Sequence, residues 1–462
     1  MSTKQIKWAM FTITAIGNFI AMMDSSTVNL ALYPMSVDLH VSMGEIQWVI
    51  IAYMLVLTVF LPFFGKLGDI FPKNKLYTLG FGLFAIGAFL NTTAKSFEFL
   101  IAYRCLEALG ASVMLSNSQA IIAGIFKNER RGKALGLNGC IIAIGGMSGP
   151  ALGGVLINYF GWHSIFYPSV IIGLAGIYLS YKLLPRTIKI NIKNFKFDYK
   201  GFIYFSVSLF ALLLAISEGH SWGWNSLRII TLGAITLVFG GLFYFRDHKI
   251  NYPLINFALF KIHPFTFGNL AVMTSYMAMF TNSILLPFFL QEILKYNPLI
   301  TGLLILPYSV TLSIIAPISG KLSYKYGKYL TLSGPIVYCV ALLMFTLLGK
   351  NAPMWQIITA SGVMGIGNGL FQSPSNNAIM TSVKKEELGI ASGILALSRH
   401  MGNILGVAVT ITLFETFRNL FIEQGKAYET AFLTSYRTTM CFGILFGLAC
   451  LTFAYIAYKE KT

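Results

Sequence analysis

The stretch "GKLGDIFPKNKL" (65–76) is a short basic turn between two apolar runs, and "GKLSYKYGKYLTL" (320–332) repeats its opening far down the chain. Both copies begin Gly-Lys-Leu, both carry lysines, and both join hydrophobic segments. Repeated halves of this kind are the mark of membrane bundles built around a central site.

Composition agrees. Of 462 residues, 56% are hydrophobic and only 11% charged, against about 25% charged in soluble domains. Apolar segments of about 20 residues, the length that spans a bilayer, fall near 8–33, 45–64, 76–94, 98–125, 133–158, 163–184, 201–217, 227–245, 264–291, 299–319, 329–348, 353–381, 388–414 and 436–458. The expected fold class is therefore an all-α polytopic membrane protein of fourteen spans. Every connection is short, the longest external one lying near 415–436. Lys4 and Lys7 precede an apolar segment too long for a signal h-region, so no cleaved leader is expected.

The net charge of +17 would suggest nucleic acid on a soluble protein, but its placement says otherwise. Most of the 34 lysines and arginines fall on the side of the N-terminus. The other side holds Lys95, Arg228, Lys295, Lys350, Arg418, Lys426 and Arg437, and Arg104 and Arg399 lie within spans. Basic residues gather in cytoplasmic loops, so both termini are expected in the cytoplasm of a cell-membrane protein, with the bilayer rather than nucleic acid as partner. If six spans form each half, the halves are 1–184 and 263–462. Between them, 185–262 holds the basic linker "PRTIKINIKNFKFDYKG" and an inserted helix pair; such a linker suits an anionic leaflet.

Cys105, Cys140, Cys339, Cys441 and Cys450 lie in apolar segments without ligand spacing, and the six histidines show none either. No metal or cofactor is expected. No Walker A loop or nucleophile elbow occurs, so neither ATP-driven work nor enzymatic catalysis is expected.

Four stretches carry chemistry. In "IAMMDSSTVNLAL" (20–32) Asp24 interrupts a hydrophobic run, where a charge costs about 2.5–3.5 kcal/mol on insertion scales. It lies ~24 Å along the helix from Trp8, beyond the midplane. A carboxyl group in low dielectric can be neutral in one conformation and ionised in another, and so can carry a proton or pair with a cation. "RCLEALGAS" (104–112) puts Arg104 and Glu107 three apart on one helical face. An intramembrane arginine is functional by default, with a carboxylate as its partner. "GGMSGPALGG" (145–154) combines glycines four apart, which let another helix approach, with Pro150, which favours a bend. In the 65–76 turn, Gly65 and Gly68 allow close approach, and Asp69 can cap a helix and pair with a base such as Lys73.

Together these motifs resemble those of the fourteen-helix drug–proton antiporters of the major facilitator superfamily, and the chain is similar to the staphylococcal quinolone and antiseptic exporters over nearly its whole length. Gly65, Gly68, Asp69, Lys73 and Lys75 match the family's loop motif, with Pro72 and Ile70 as departures. Tyr324 stands at the aspartate position of the second copy, so a weak latch or none is expected there. Gly145, Gly149, Pro150, Gly153 and Gly154 match the antiporter motif, which implies efflux. Arg104 and Gly110 match the fourth-helix motif. Asp24, Asn29, Ala31 and Leu32 keep the first-helix spacing, with Thr27 one residue off. Gly393, Arg399, Gly402 and Gly406 match the thirteenth helix, which has no carboxylate here; Arg399 and His400 argue against a simple preference for divalent cations.

The resemblance implies a proton-coupled multidrug exporter, expected as a monomer, in which Asp24 takes the proton and Glu107 and Arg104 modulate it. Glu107→Gln is expected to matter less, because Arg104 stands beside Glu107. Helices the fold turns inward supply candidate substrate contacts at Asn29, Asn117, Gln119, Tyr276, Met279, Phe280, Asn282, Phe371, Gln372, Asn376 and Arg399. The alternatives are a carrier of one natural solute or tetracycline-like compound, and a transport-inactive sensor.

Overall fold

The protein is seen here in a computed structural model that describes residues 3–68, 71–125, 129–183, 198–250, 257–384 and 388–459. The described residues are all helical apart from the connections. In lipid the backbone can satisfy its hydrogen bonds only internally, which makes helices the spanning element.

In chain order the helices are α1 (Thr3–Asp38), α2 (Trp48–Leu67), α3 (Lys73–Asn91), α4 (Phe97–Ile125), α5 (Glu129–Phe160), α6 (Tyr167–Leu183), α7 (Tyr199–Trp222), α8 (Leu227–Asp247) and α9 (His263–Phe288). The stretch Pro298–Thr346 follows as two helices that meet at a kink at the non-helical Tyr326: α10 (298–325) and α11 (327–346). α12 (Met354–Thr381), α13 (Leu388–Glu423) and α14 (Tyr428–Lys459) complete the chain. Each of the fourteen apolar segments thus falls on a helix. Among the described residues, nine helices are long and apolar enough to cross a membrane by length and composition alone, Pro298–Thr346 counting once.

The two Gly-Lys-Leu turns differ in one respect that the repeat does not suggest. The first breaks the backbone between α2 and α3, whereas the second bends it only at Tyr326. Pro72 explains the break: it stands at the N-cap of α3, has no N–H to donate, and disfavours helical geometry in the residue before it. Residues 320–332 contain no proline, and the interruption there is confined to Tyr326. Tyr324 is 98% exposed and makes no latch contact among the described residues.

The helices fall into two compact units, Met1–Phe197 with Asn297–Leu303, and Asp198–Tyr296 with Leu304–Thr462. In the first unit α1 packs most extensively on α5, and also on α4 and α6; α4 packs on α2 and α3, and α3 on α6. In the second, α9 is the centre, against α13 and α14. α7 and α8 form a hairpin attached to this unit through α13, where the Thr412 hydroxyl reaches the Ile216 carbonyl at 3.4 Å. Asp198 pins the hairpin's ends. Its Oδ1 accepts from Gly201 N at 2.9 Å, capping α7, and from Arg246 Nε at the end of α8 at 2.6 Å.

Candidate functional site

Asp24 sits six turns into α1, and its side chain turns toward α4 rather than lipid. Arg104 Nη1 donates to Asp24 Oδ2 at 2.6 Å and to Glu107 Oε2 at 2.7 Å. One nitrogen therefore joins two carboxylates. Asp24 and Arg104 are 1% exposed and Glu107 is fully buried.

The surroundings account for this burial. The Arg104 guanidinium lies over the Tyr53 ring of α2, 4.1 Å from its centre, a cation–π arrangement that gains strength when desolvated. Asn91, the last residue of α3, donates its amide to Glu107 Oε2 at 2.7 Å. The Ser169 hydroxyl on α6 donates to Asp24 Oδ1 at 3.3 Å. Five helices thus contribute one side chain or more. Arg104 Nε and Glu107 Oε1 are buried without a hydrogen-bond partner among the described residues.

The charge count is simple. With both carboxylates ionised the three side chains carry −1, and one proton makes them neutral. The set therefore has two charge states that differ by a single proton. Arg104 bonds both carboxylates through the same atom, because α1 brings Asp24 to the face of α4 that carries the i, i+3 pair. Closer to the α1 N-terminus, Asn18 donates to Ser118 Oγ at 2.6 Å and to Asn138 Oδ1 at 2.8 Å, a second buried polar junction of α1, α4 and α5.

The glycine–proline stretch faces the same helix. A Cβ at Gly145 would lie 2.6 Å from the Phe19 carbonyl oxygen, one at Gly153 would lie 2.8 Å from Thr27 Cγ2, and one at Gly149 would collide with the Ser26 hydroxyl. The Thr27 hydroxyl reaches the Gly149 carbonyl at 3.4 Å. Three glycines four apart form a flat strip on which α1 rests. Gly154 faces Pro298 and Leu299, and Gly302 abuts the Pro150 carbonyl and Leu30, so the start of α10 packs on α5 next to α1.

The loop motif is only partly described. Asp69 and the side chain of Lys73 lie outside the described residues, as does the side chain of Gln119. Gly68 packs so closely on Asn117 that no Cβ would fit, whereas Gly65 has ordinary room, its nearest neighbour being Ser116 Cβ at 3.8 Å. Asn117 ties α4 to α2. It is 3% exposed, and its amide donates to the Phe64 and Val113 carbonyls at 3.0 Å each.

In the second unit, Gln372 Nε2 donates to Tyr276 Oη at 2.7 Å. Met279 Sδ accepts from Tyr308 Oη at 2.9 Å and from Asn368 Nδ2 at 3.0 Å; that same amide donates to Tyr308 Oη at 2.7 Å. This neutral, sulfur- and aromatic-rich cluster brings three expected residues together with Tyr308 and Asn368, which sequence reasoning missed. Phe371 is 1% exposed and packs on Gly334. Phe280 packs against Gly406, and Asn282 is 8% exposed. Asn29, Asn376 and Arg399 are half-buried. Tyr53, Asn91 and Ser169 were missed in the first unit; the one signal for Asn91 was an amide near the end of an apolar span.

Comparison with known proteins agrees with this architecture. The family model described as Major Facilitator Superfamily matches residues 14–407 and 268–460. The chain is 34% identical over 442 residues to "Riboflavin transporter RibZ" of Clostridioides difficile, covering 94% of this chain and 95% of that one. It is 28% identical to "Multidrug resistance protein Stp" of Mycobacterium tuberculosis, over 86% of this chain and 74% of the relative. It is 27% identical to a "Methylenomycin A resistance protein" of Bacillus subtilis, over 94% of both. Among solved structures, the inward-facing, unoccupied form of a bacterial homolog to the human lysosomal transporter Spinster aligns with TM-score 0.69 at 14% identity, over 98% of this chain and 96% of that one. With fourteen apolar segments on helices, two compact units and a matching family model over most of its length, the chain belongs to the Major Facilitator Superfamily and is a membrane transporter.

Proposed function

We propose that the protein is a proton-coupled exporter of amphipathic aromatic compounds, drugs among them, working by alternating access in the cytoplasmic membrane with both termini in the cytoplasm. The observation that carries this reading is the buried Asp24–Arg104–Glu107 cluster. Its two charge states differ by one proton, which is what coupling to a proton gradient requires. Two relatives named for multidrug and antibiotic resistance support the substrate class, and the glycine–proline contact of α5 with α1 supports motion of one helix on the other. In this reading the protein works as a monomer, α7 and α8 are an inserted pair, and the halves 1–184 and 263–462 carry the transport cycle. The polar–aromatic cluster of Tyr276, Met279, Tyr308, Asn368 and Gln372 contacts substrate.

A second reading is carriage of one flavin-like solute, favoured by the 34% identity to a protein named as a riboflavin transporter. Everted vesicles with and without a pH gradient, loaded in turn with ethidium, norfloxacin and riboflavin, separate the two. Gradient-dependent movement of several drugs supports multidrug export. Movement of riboflavin alone selects the second reading, and movement indifferent to the gradient removes proton coupling from both.

A further inference from the structure

Arg399 is a cation within the membrane-spanning part of α13 that forms no ion pair among the described residues, and its Nε is buried without a hydrogen-bond partner. In the first unit, by contrast, the buried Arg104 bonds two carboxylates. No acidic residue stands on α9, α10, α11 or α12. On α13 the nearest is Glu415, ~24 Å further along the helix and already paired with Arg418.

Hydrogen bonds and close approaches fix the level at which Arg399 sits. Ser398 bonds Asn269 at 3.1 Å, and Gly402 packs on Tyr276, so Arg399 lies between Asn269 and Tyr276 along α9. On the other flank of α9, Gln372 bonds Tyr276 and Ile379 packs on Gly268, which puts Asn376 at the same level. Asn376 Oδ1 is likewise buried without a partner among the described residues. One helical turn away lie Tyr276 and Gln372, a neutral hydrogen-bonding aromatic face. An unpaired guanidinium in a low-dielectric setting is costly, and a planar anion relieves that cost through charge-assisted hydrogen bonds.

We infer that Arg399 selects substrates, and that the preferred class is planar aromatic compounds bearing a negative charge, such as a carboxylate, phenolate or phosphate, over lipophilic cations. This deepens the proposed transport function and rests on it for its role in a transport cycle, but the binding preference is measurable alone. Fluorescein and rhodamine 123 share a xanthene ring system and differ in the sign of their charge. Fluorescence anisotropy with purified protein in detergent, without any gradient, reads the affinity of each. The wild type should bind fluorescein at least about tenfold tighter, and Arg399→Gln should lose about tenfold for fluorescein while leaving rhodamine 123 within about twofold. Arg399→Lys should retain most of the preference. Asn376→Asp, which sets a carboxylate at the level of Arg399, should mimic Arg399→Gln and serves if that variant does not fold. Absent fluorescein binding, an equal or reversed preference in the wild type, or variants that leave the ratio unchanged would each overturn the inference. Gradient-independent movement with the dye preference intact would instead sink only the transport reading.

Discussion

Arg104 Nη1 lies 2.6 Å from Asp24 Oδ2, although eighty residues separate the two in the chain. The contact brings a first-helix carboxylate to a fourth-helix guanidinium that already holds Glu107, and it makes the arginine the only positive charge in the cluster. Arg104→Gln therefore leaves two buried carboxylates uncompensated. Loss of one partner from a buried pair costs about 3–5 kcal/mol, so this variant should show a markedly lower thermal midpoint in detergent. Adding Asp24→Asn removes one of the stranded charges and should restore part of the loss. A midpoint for Arg104→Gln equal to that of the wild type would mean the cluster does not exist as described.

The strip of glycines on α5 offers a test with an internal control. A Cβ at Gly149 would collide with Ser26, whereas a Cβ at Gly146 meets nothing within 4 Å. Overpacking of a tight contact costs about 1–3 kcal/mol, so Gly149→Ala should lower stability and slow transport, and Gly146→Ala should do neither. Equal behaviour of the two in a thermal melt would remove the α1–α5 contact as the reason for the motif.

Pro150→Ala addresses motion rather than packing. It returns a backbone N–H to α5 and removes the residue that favours bending there. Expression and melting should stay near the wild type while gradient-driven drug export slows. Full-rate export would reduce the proline to a packing element.

These particular residues also say what a sequence can and cannot reveal. Asp24, Arg104 and Glu107 stand out because a charge in an apolar run is conspicuous at the level of single residues. Their partners Tyr53, Asn91 and Ser169 are neutral and common in spans, and only the tertiary packing of five helices brings them in. Asn91 and Asn117 show the limit: an amide carries no label for whether it faces a carboxylate, a cleft or the carbonyls of a neighbouring helix. The one-residue kink at Tyr326, in place of a longer loop, was within reach, since Pro72 has no equivalent in the second copy; likeness of the two turns hid the difference.

Orientation is open to a direct test. In a background without the native cysteines, Lys193→Cys and Gln424→Cys should react from opposite faces of the membrane with an impermeant maleimide, 193 from the cytoplasm and 424 from outside. Reaction of both from one face would remove the fourteen-span topology with cytoplasmic termini.

The last prediction concerns which carboxylate carries the proton. Asp24 has both oxygens engaged, Oδ2 by Arg104 and Oδ1 by Ser169, while Glu107 has Oε2 engaged twice and Oε1 buried without a partner among the described residues. Because one guanidinium nitrogen serves both groups, removing either negative charge leaves a single carboxylate paired with Arg104 and a neutral cluster. Asp24→Asn and Glu107→Gln should therefore both lose gradient-driven export, in contrast to the milder effect that sequence alone suggested for Glu107, and both should remain folded, since neither strands a charge. The measurement is substrate-induced proton release from purified protein in weakly buffered detergent solution. The wild type should release protons on addition of substrate, up to the one that separates the cluster's two charge states, and each single variant should release close to none. Release by Asp24→Asn alone would assign the proton to Glu107, and release by Glu107→Gln alone would assign it to Asp24. Undiminished release by both would move coupling away from this cluster altogether.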